Sequence, residues 1–76
     1  DQPEDSYTAK LLQDGTGRIA QKVIEEAGEA AIAAVQGDNE NLPKEIADLL
    51  YPSMVLLASS GVTPSAVWEE LRTRRG

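Results

Sequence analysis

Lys22-Val23-Ile24-Glu25-Glu26-Ala27-Gly28-Glu29 is the stretch on which the reading of this chain turns. On a helix each residue advances by about 100°, so Glu25, Glu29 and Glu26 share an arc of about 100°, with Glu29 between the other two. Like charges at this spacing repel and weaken an isolated helix. A compensating partner is therefore expected, and a divalent cation is the natural candidate. Downstream, Glu45 and Asp48 repeat the i, i+3 spacing in a more apolar setting, directly before Leu49 and Leu50. Burying an unpaired carboxylate is expensive, so Asp48 is expected to be paired, hydrogen-bonded or coordinating. The two acidic pieces are expected to meet in space around a metal.

Composition limits what else the chain can be. Its 76 residues suffice for one small domain, residues 1–76, with 1–5 as a flexible lead-in. There is no Phe, one Trp and two Tyr, so the core must come from Leu, Ile, Val and Ala and will be thin. Homodimerisation is the expected supplement. The absence of Cys and His removes disulfides, thiolate and imidazole metal sites, and His general bases. Hard, oxygen-ligated ions remain: Mg²⁺, with Mn²⁺ as the alternative. A formal net charge of −6 argues against sequence-independent binding to nucleic acid or an anionic membrane. The apolar run from Ile46 to Leu57 is too short to span a bilayer, and no basic-then-apolar leader precedes Ser6. A cytoplasmic location is the expectation.

Periodicity and punctuation predict an all-α fold. Ser6 can cap a helix from Tyr7 to about Gln13, with Leu11 and Leu12 facing inward. A second helix is expected from about Arg18 to Gln36, closed by Gly37. Its apolar face would comprise Ile19, Val23, Ile24, Ala27, Ala30, Ala31, Ala34 and Val35, with the carboxylates roughly opposite and Gly28 allowing another helix close. A third helix from Pro43 to about Ser59 is apolar on nearly all sides, which marks a buried helix, and Pro52 should kink or break it. Thr63-Pro64 opens a last helix to about Thr73, packing through Val67, Trp68 and Leu71, with Arg72, Arg74 and Arg75 complementing its dipole.

Plainer readings stand beside the metal. Glu25, Glu26 and Glu29 could be a solvated face, with Lys22 as the i, i+4 partner of Glu26. Glu45 could be a first-turn acid favoured by the helix dipole, and Asp48 could pair with Lys or Arg from another helix.

Glu25-Glu26-x-x-Glu29 and Glu45-x-x-Asp48 resemble the paired acidic motif of the MazG-like all-α nucleotide pyrophosphohydrolases. Ser6-Tyr7-Thr8-Ala9-Lys10-Leu11-Leu12, Gly15, Arg18 to Ala27, Gly37-Asp38 and Glu45 to Tyr51 narrow the resemblance to the phosphoribosyl-ATP pyrophosphatases of histidine biosynthesis. The chain departs at Pro52, where such proteins often carry His after the tyrosine.

The resemblance implies a small helical bundle completed by homodimerisation. It implies Mg-dependent hydrolysis of phosphoribosyl-ATP to phosphoribosyl-AMP and pyrophosphate. By the match, Glu26, Glu29, Glu45 and Asp48 are metal ligands, and Glu25 is a further ligand or the base that orients water. Lys10, Arg18 and Lys22 are the nearest cations for the phosphates. Two alternatives stay open: a pyrophosphohydrolase of other nucleoside triphosphates, and a non-enzymatic helical oligomerisation module.

Overall fold

The computed structural model describes residues 3–75, with side chains from Ser6 to Arg75. It contains four helices, α1 (Pro3–Asp14), α2 (Thr16–Val35), α3 (Leu42–Ser59) and α4 (Pro64–Thr73), and no strand among the described residues. The first helix begins at Pro3, one turn ahead of its expected start at Tyr7. Proline is well tolerated in a first turn, where a missing N–H removes nothing from the ladder. Residues 1 and 2 of the expected lead-in lie outside the described residues.

Helices α2 and α3 end where glycine permits it. After α2, Gly37 (φ 73°) donates to the Ala34 carbonyl at 3.1 Å and Asp38 to that of Ala33 at 2.9 Å. After α3, Gly61 (φ 75°) and Val62 make the corresponding bonds to Ala58 and Leu57. This pair of bonds satisfies the last carbonyls and needs a left-handed residue, which glycine adopts without strain. Thr63 occupies the capping position of α4 in extended conformation, but its hydroxyl makes no capping bond.

The short turn after Gly37 folds α3 back along α2, and these two helices make most of the packing, with α1 lying across both. A hydrogen bond of 2.6 Å between the Thr16 and Ser59 hydroxyls ties the start of α2 to the end of α3. Leu11, Ile19 and Val55 form the core, flanked by Tyr7, Tyr51 and Leu56. Full burial of each such aliphatic side chain stabilises by roughly 1.5–3 kcal/mol.

The apolar face of α2 is only partly where periodicity placed it, at Ile19, Val23 and Ala30. The residues it buries are Ile19, Glu26, Ala30 and Ala33, while Ile24 is 72% and Val35 87% exposed. Ala27, Ala31 and Ala34 are exposed as well, and nothing lies within 4 Å of where a Cβ on Gly28 would be, so no helix of this chain approaches there. A helix apolar over more than half its circumference has several stripes that can serve as a contact. Here the stripe turned to α3 carries Glu26.

Helix α3 also departs from expectation. It buries Pro52 and Val55 but exposes Leu50 and Ile46, so within one chain it is covered on one side only. Pro52 does not break it, and the helix runs unbroken from Leu42 to Ser59. The proline has no N–H to donate to the Asp48 carbonyl, yet its ring is fully buried, and packing offsets the lost bond. One residue on, the Ser53 hydroxyl donates to the Leu49 carbonyl at 2.8 Å.

Helix α4 turns from α3 by 107° and contributes little to the packing of the other three. Trp68 (48% exposed) and Leu71 (53%) are largely uncovered, against the expectation that they pack inward. The Cα radius of gyration is 14.0 Å, against about 11 Å for a compact domain of this length. Among the described residues no single helix is long and apolar enough to cross a membrane; α3 and α4 meet that test only as a sharply bent pair.

Candidate metal and nucleotide site

Because α2 turns its Glu26 stripe toward α3, the two acidic pieces do meet. Carboxylate oxygens of Glu26, Glu29 and Glu45 all lie within 4.8 Å of one another. Glu26 is only 8% exposed. Its Oε2 accepts a 3.1 Å salt bridge from Lys22 Nζ, while its Oε1 is buried with no hydrogen-bond partner. Glu45 Oε1 is likewise buried and unpartnered. Among the described residues no salt bridge neutralises Glu29 or Glu45.

The electrostatics carry the mark of this crowding. The Glu26 charge pushes the Glu29 carboxyl above its ordinary range, with partial loss of solvent and the Glu45 charge adding to it. The bond to Glu26 raises Lys22. Two buried oxygens without donors, inside a set of three carboxylates, fit a hard cation.

Asp48 stands beside the cluster and not in it. Its Oδ2 accepts a 3.1 Å salt bridge from Lys44 on the same helix, and its side chain is 42% exposed, so neither deep burial nor a partner from another helix is found. Asp48 and Glu26 both line a groove of about 560 Å³, together with Tyr7, Lys22, Tyr51 and Pro52. Glu25 points elsewhere. Its carboxylate receives a 3.3 Å bond from Gln21 and lies 4.0 Å from Arg18, on the exposed side of α2.

Of the expected phosphate-binding cations, Lys22 lines the groove. Arg18 is turned to Glu25, and Lys10 is exposed and paired with Asp14 at 3.5 Å. Sequence reasoning passed over Lys44, although its i, i+4 spacing to Asp48 was a usable signal, and gave Tyr7 and Tyr51 no role in the site. Burial pushes the Tyr7 phenol up, against the opposing Lys22 ammonium, and the carboxylates of Glu26 and Asp48 push it further. The ring thus sits within electrostatic reach of the acidic end of the groove.

Four helices, no strand among the described residues, and carboxylates from two helices facing one another define an all-α protein with an inter-helix acidic site. Residues 1–75 match the phosphoribosyl-ATP pyrophosphohydrolase family. The chain belongs to that family. It is 58% identical over 74 residues to the phosphoribosyl-ATP pyrophosphatase of Azospirillum brasilense, covering 97% of this chain and 67% of that protein. The protein of the same name from Methylobacterium nodulans is 54% identical over 72 residues, 95% of this chain and 67% of its own length. The histidine biosynthesis bifunctional protein HisIE of Thermotoga maritima is 51% identical over 73 residues, 96% of this chain and 37% of its own length.

Proposed function

We propose that this chain hydrolyses phosphoribosyl-ATP between its α and β phosphates, giving phosphoribosyl-AMP and pyrophosphate. We propose further that Mg²⁺, or Mn²⁺ in its place, is held by Glu26, Glu29 and Glu45, with Asp48 adjoining. Family membership and the relatives named phosphoribosyl-ATP pyrophosphatase support the reaction. The observation that carries the metal is the pair of buried oxygens, Glu26 Oε1 and Glu45 Oε1, that lack any donor. Bound there, the ion would neutralise phosphate charge and make a coordinated water more acidic.

The chain's own residues prepare that site. Lys22 holds Glu26 Oε2 and so restrains the carboxylate that adjoins Glu29 and Glu45. Lys44 restrains Asp48 in the same way at the groove. Lys22 is also the cation best placed to meet a phosphate entering the groove, ahead of Arg18 and Lys10. In the reaction a water oxygen bonds to phosphorus as the bridging P–O bond breaks, and pyrophosphate leaves. Glu25, turned to Gln21 and Arg18 on the exposed side of α2, is not assigned the base.

Homodimerisation belongs to the same proposal. The largest uncovered apolar side chains, Ile24, Ile32 and Val35 on α2 and Leu50, Trp68 and Leu71 toward α4, would gain cover from a second copy. As a step of amino-acid biosynthesis the reaction is assigned to the cytoplasm, with neither nucleic acid nor membrane as a partner.

Incubating the protein and Mg²⁺ with phosphoribosyl-ATP and with a panel of ordinary and non-standard nucleoside triphosphates tests the reading. Faster turnover of the panel would replace phosphoribosyl-ATP as substrate. Absence of any metal-dependent turnover, or turnover unchanged by Glu29→Ala, would leave a helical oligomerisation module.

A further inference from the structure

Ser6-Tyr7-Thr8 belongs to the distinguishing sequence pattern but is not used by the carboxylate chemistry. The structure puts Tyr7 on the wall of the same groove. The Tyr7 ring stacks on Tyr51, with centroids 5.6 Å apart and planes inclined by 27°. The Thr8 and Tyr51 hydroxyls are hydrogen-bonded, which clamps α1 to α3 at this point. Pro52, fully buried, stands next to the pair. This aromatic wall and the acidic residues Glu26 and Asp48 line one continuous groove of about 560 Å³. Glu26 belongs both to the groove and to the three-carboxylate cluster, so the groove opens onto the cluster.

The groove's carboxylates suit phosphates only with a cation, and its two tyrosines offer aromatic surface, which stacks on a base without needing a matched set of hydrogen bonds. A volume of this size lies in the range of small-molecule sites. We propose that the Tyr7–Tyr51 wall is the nucleoside subsite, taking the purine of a nucleotide whose phosphates lie at the Glu26 end. Tyr7 is then a specificity-determining residue contributed by α1 to a site otherwise built by α2 and α3. This rests on the reading above, because the position of the phosphates sets the direction of the nucleotide.

Tyr7 also packs against the core, so truncation to alanine would mix packing with binding. The test therefore compares Tyr7→Leu, which keeps an apolar side chain, with Tyr7→Phe, which keeps the ring. For phosphoribosyl-ATP, Tyr7→Leu is expected to raise KM about tenfold, with the change falling chiefly on KM and not on kcat. Inhibition by AMP should weaken by a similar factor, while inhibition by inorganic pyrophosphate, which has no base, should hold. Tyr7→Phe should restore both KM and AMP inhibition. Equal weakening of AMP and pyrophosphate, or failure of Tyr7→Phe to restore, would reduce Tyr7 to a packing role and overturn the subsite.

If the wild-type chain does not turn over phosphoribosyl-ATP, the proposed reaction fails but the subsite is still decided by calorimetric titration with AMP. Binding by wild type and Tyr7→Phe and its loss in Tyr7→Leu supports the subsite; no binding by wild type overturns it. Should Tyr7→Leu not fold, nuclear Overhauser contacts between AMP base protons and the Tyr7 ring in the wild-type chain give the answer, and their absence sinks the proposal.

Discussion

The α2–α3 carboxylate cluster and the α3–α4 end of the molecule are incomplete in opposite ways. At the cluster, oxygens of Glu26 and Glu45 are buried without a donor. Around α4 every described charge that pairs does so locally, Arg72 with Glu69 and Arg74 with Glu70, and it is Trp68, Leu71 and Leu50 that lack cover. A polar atom out of water without a partner costs far more than an apolar side chain left in it. The first deficit therefore calls for a small charged ligand and the second for another protein surface. One helix, α3, serves both ends, with Glu45 and Asp48 in its first half and Met54 and Leu57, which share a cavity with Val67 and Trp68 of α4, in its second.

The contrast can be broken most sharply at the cluster. Glu45→Gln should lower Mg²⁺-dependent turnover by about 100-fold or more. In the presence of chelator it should melt at a higher temperature than wild type, since one of three mutually repelling charges is gone. Wild type should gain about 2.7 kcal/mol of stability when Mg²⁺ is present at about 100 times its dissociation constant, and Glu45→Gln should not. A lower melting temperature for the variant in chelator would mean that Glu45 is a stabilising group, not a charge awaiting an ion.

At the opposite end, Trp68→Asp should weaken self-association by about 2 kcal/mol, read by sedimentation as a shift from dimer toward monomer. Turnover per folded site should change less than in Glu45→Gln. If sedimentation is unaltered, the uncovered face of α4 is not where the copies meet.

A smaller effect lies in the pH dependence of metal-free stability. The folded-state value of Glu29 is raised, so its contribution to stability is complete below the ordinary value of 4.5 and is lost as pH rises through the raised value. Metal-free protein should thus become less stable as pH climbs from 4.5 toward neutrality, and Glu29→Gln should flatten that part of the profile. A wild-type profile already flat there would show that the three carboxylates do not crowd in solution.

The smallest change separates covered from uncovered surface on α2. With open space around Gly28, Gly28→Ala should stabilise by up to about 1 kcal/mol through helix propensity alone. Destabilisation in a denaturant titration would place a partner helix over that point.

Much of this was legible beforehand, and the misses have a common cause. The four helices, the glycine stop at Gly37 and the opening of α4 at Pro64 follow from local chemistry, because caps and breakers act within a turn or two of where they stand. The pairing of Glu26 and Glu29 with Glu45 was anticipated from charge repulsion. What escaped was rotation and accompaniment: which side of α2 faces α3, that Asp48 pairs along its own helix with Lys44, that Glu25 turns outward, and that Tyr7 reaches the groove from α1. Pro52 illustrates the same limit, since its cost is local but its compensation is burial.

By itself the sequence determined an all-α chain with two acidic segments, a thin aliphatic core and no Cys or His to ligate a metal, for these depend on residue type and spacing within single helices. Only the tertiary structure decided that Glu26 is the buried carboxylate shared by cluster and groove, and that Tyr7 and Tyr51 line that same groove. The reason is that α2 offers more than one apolar stripe. Choosing among them is a matter of how three helices pack together, which no periodicity within one helix contains.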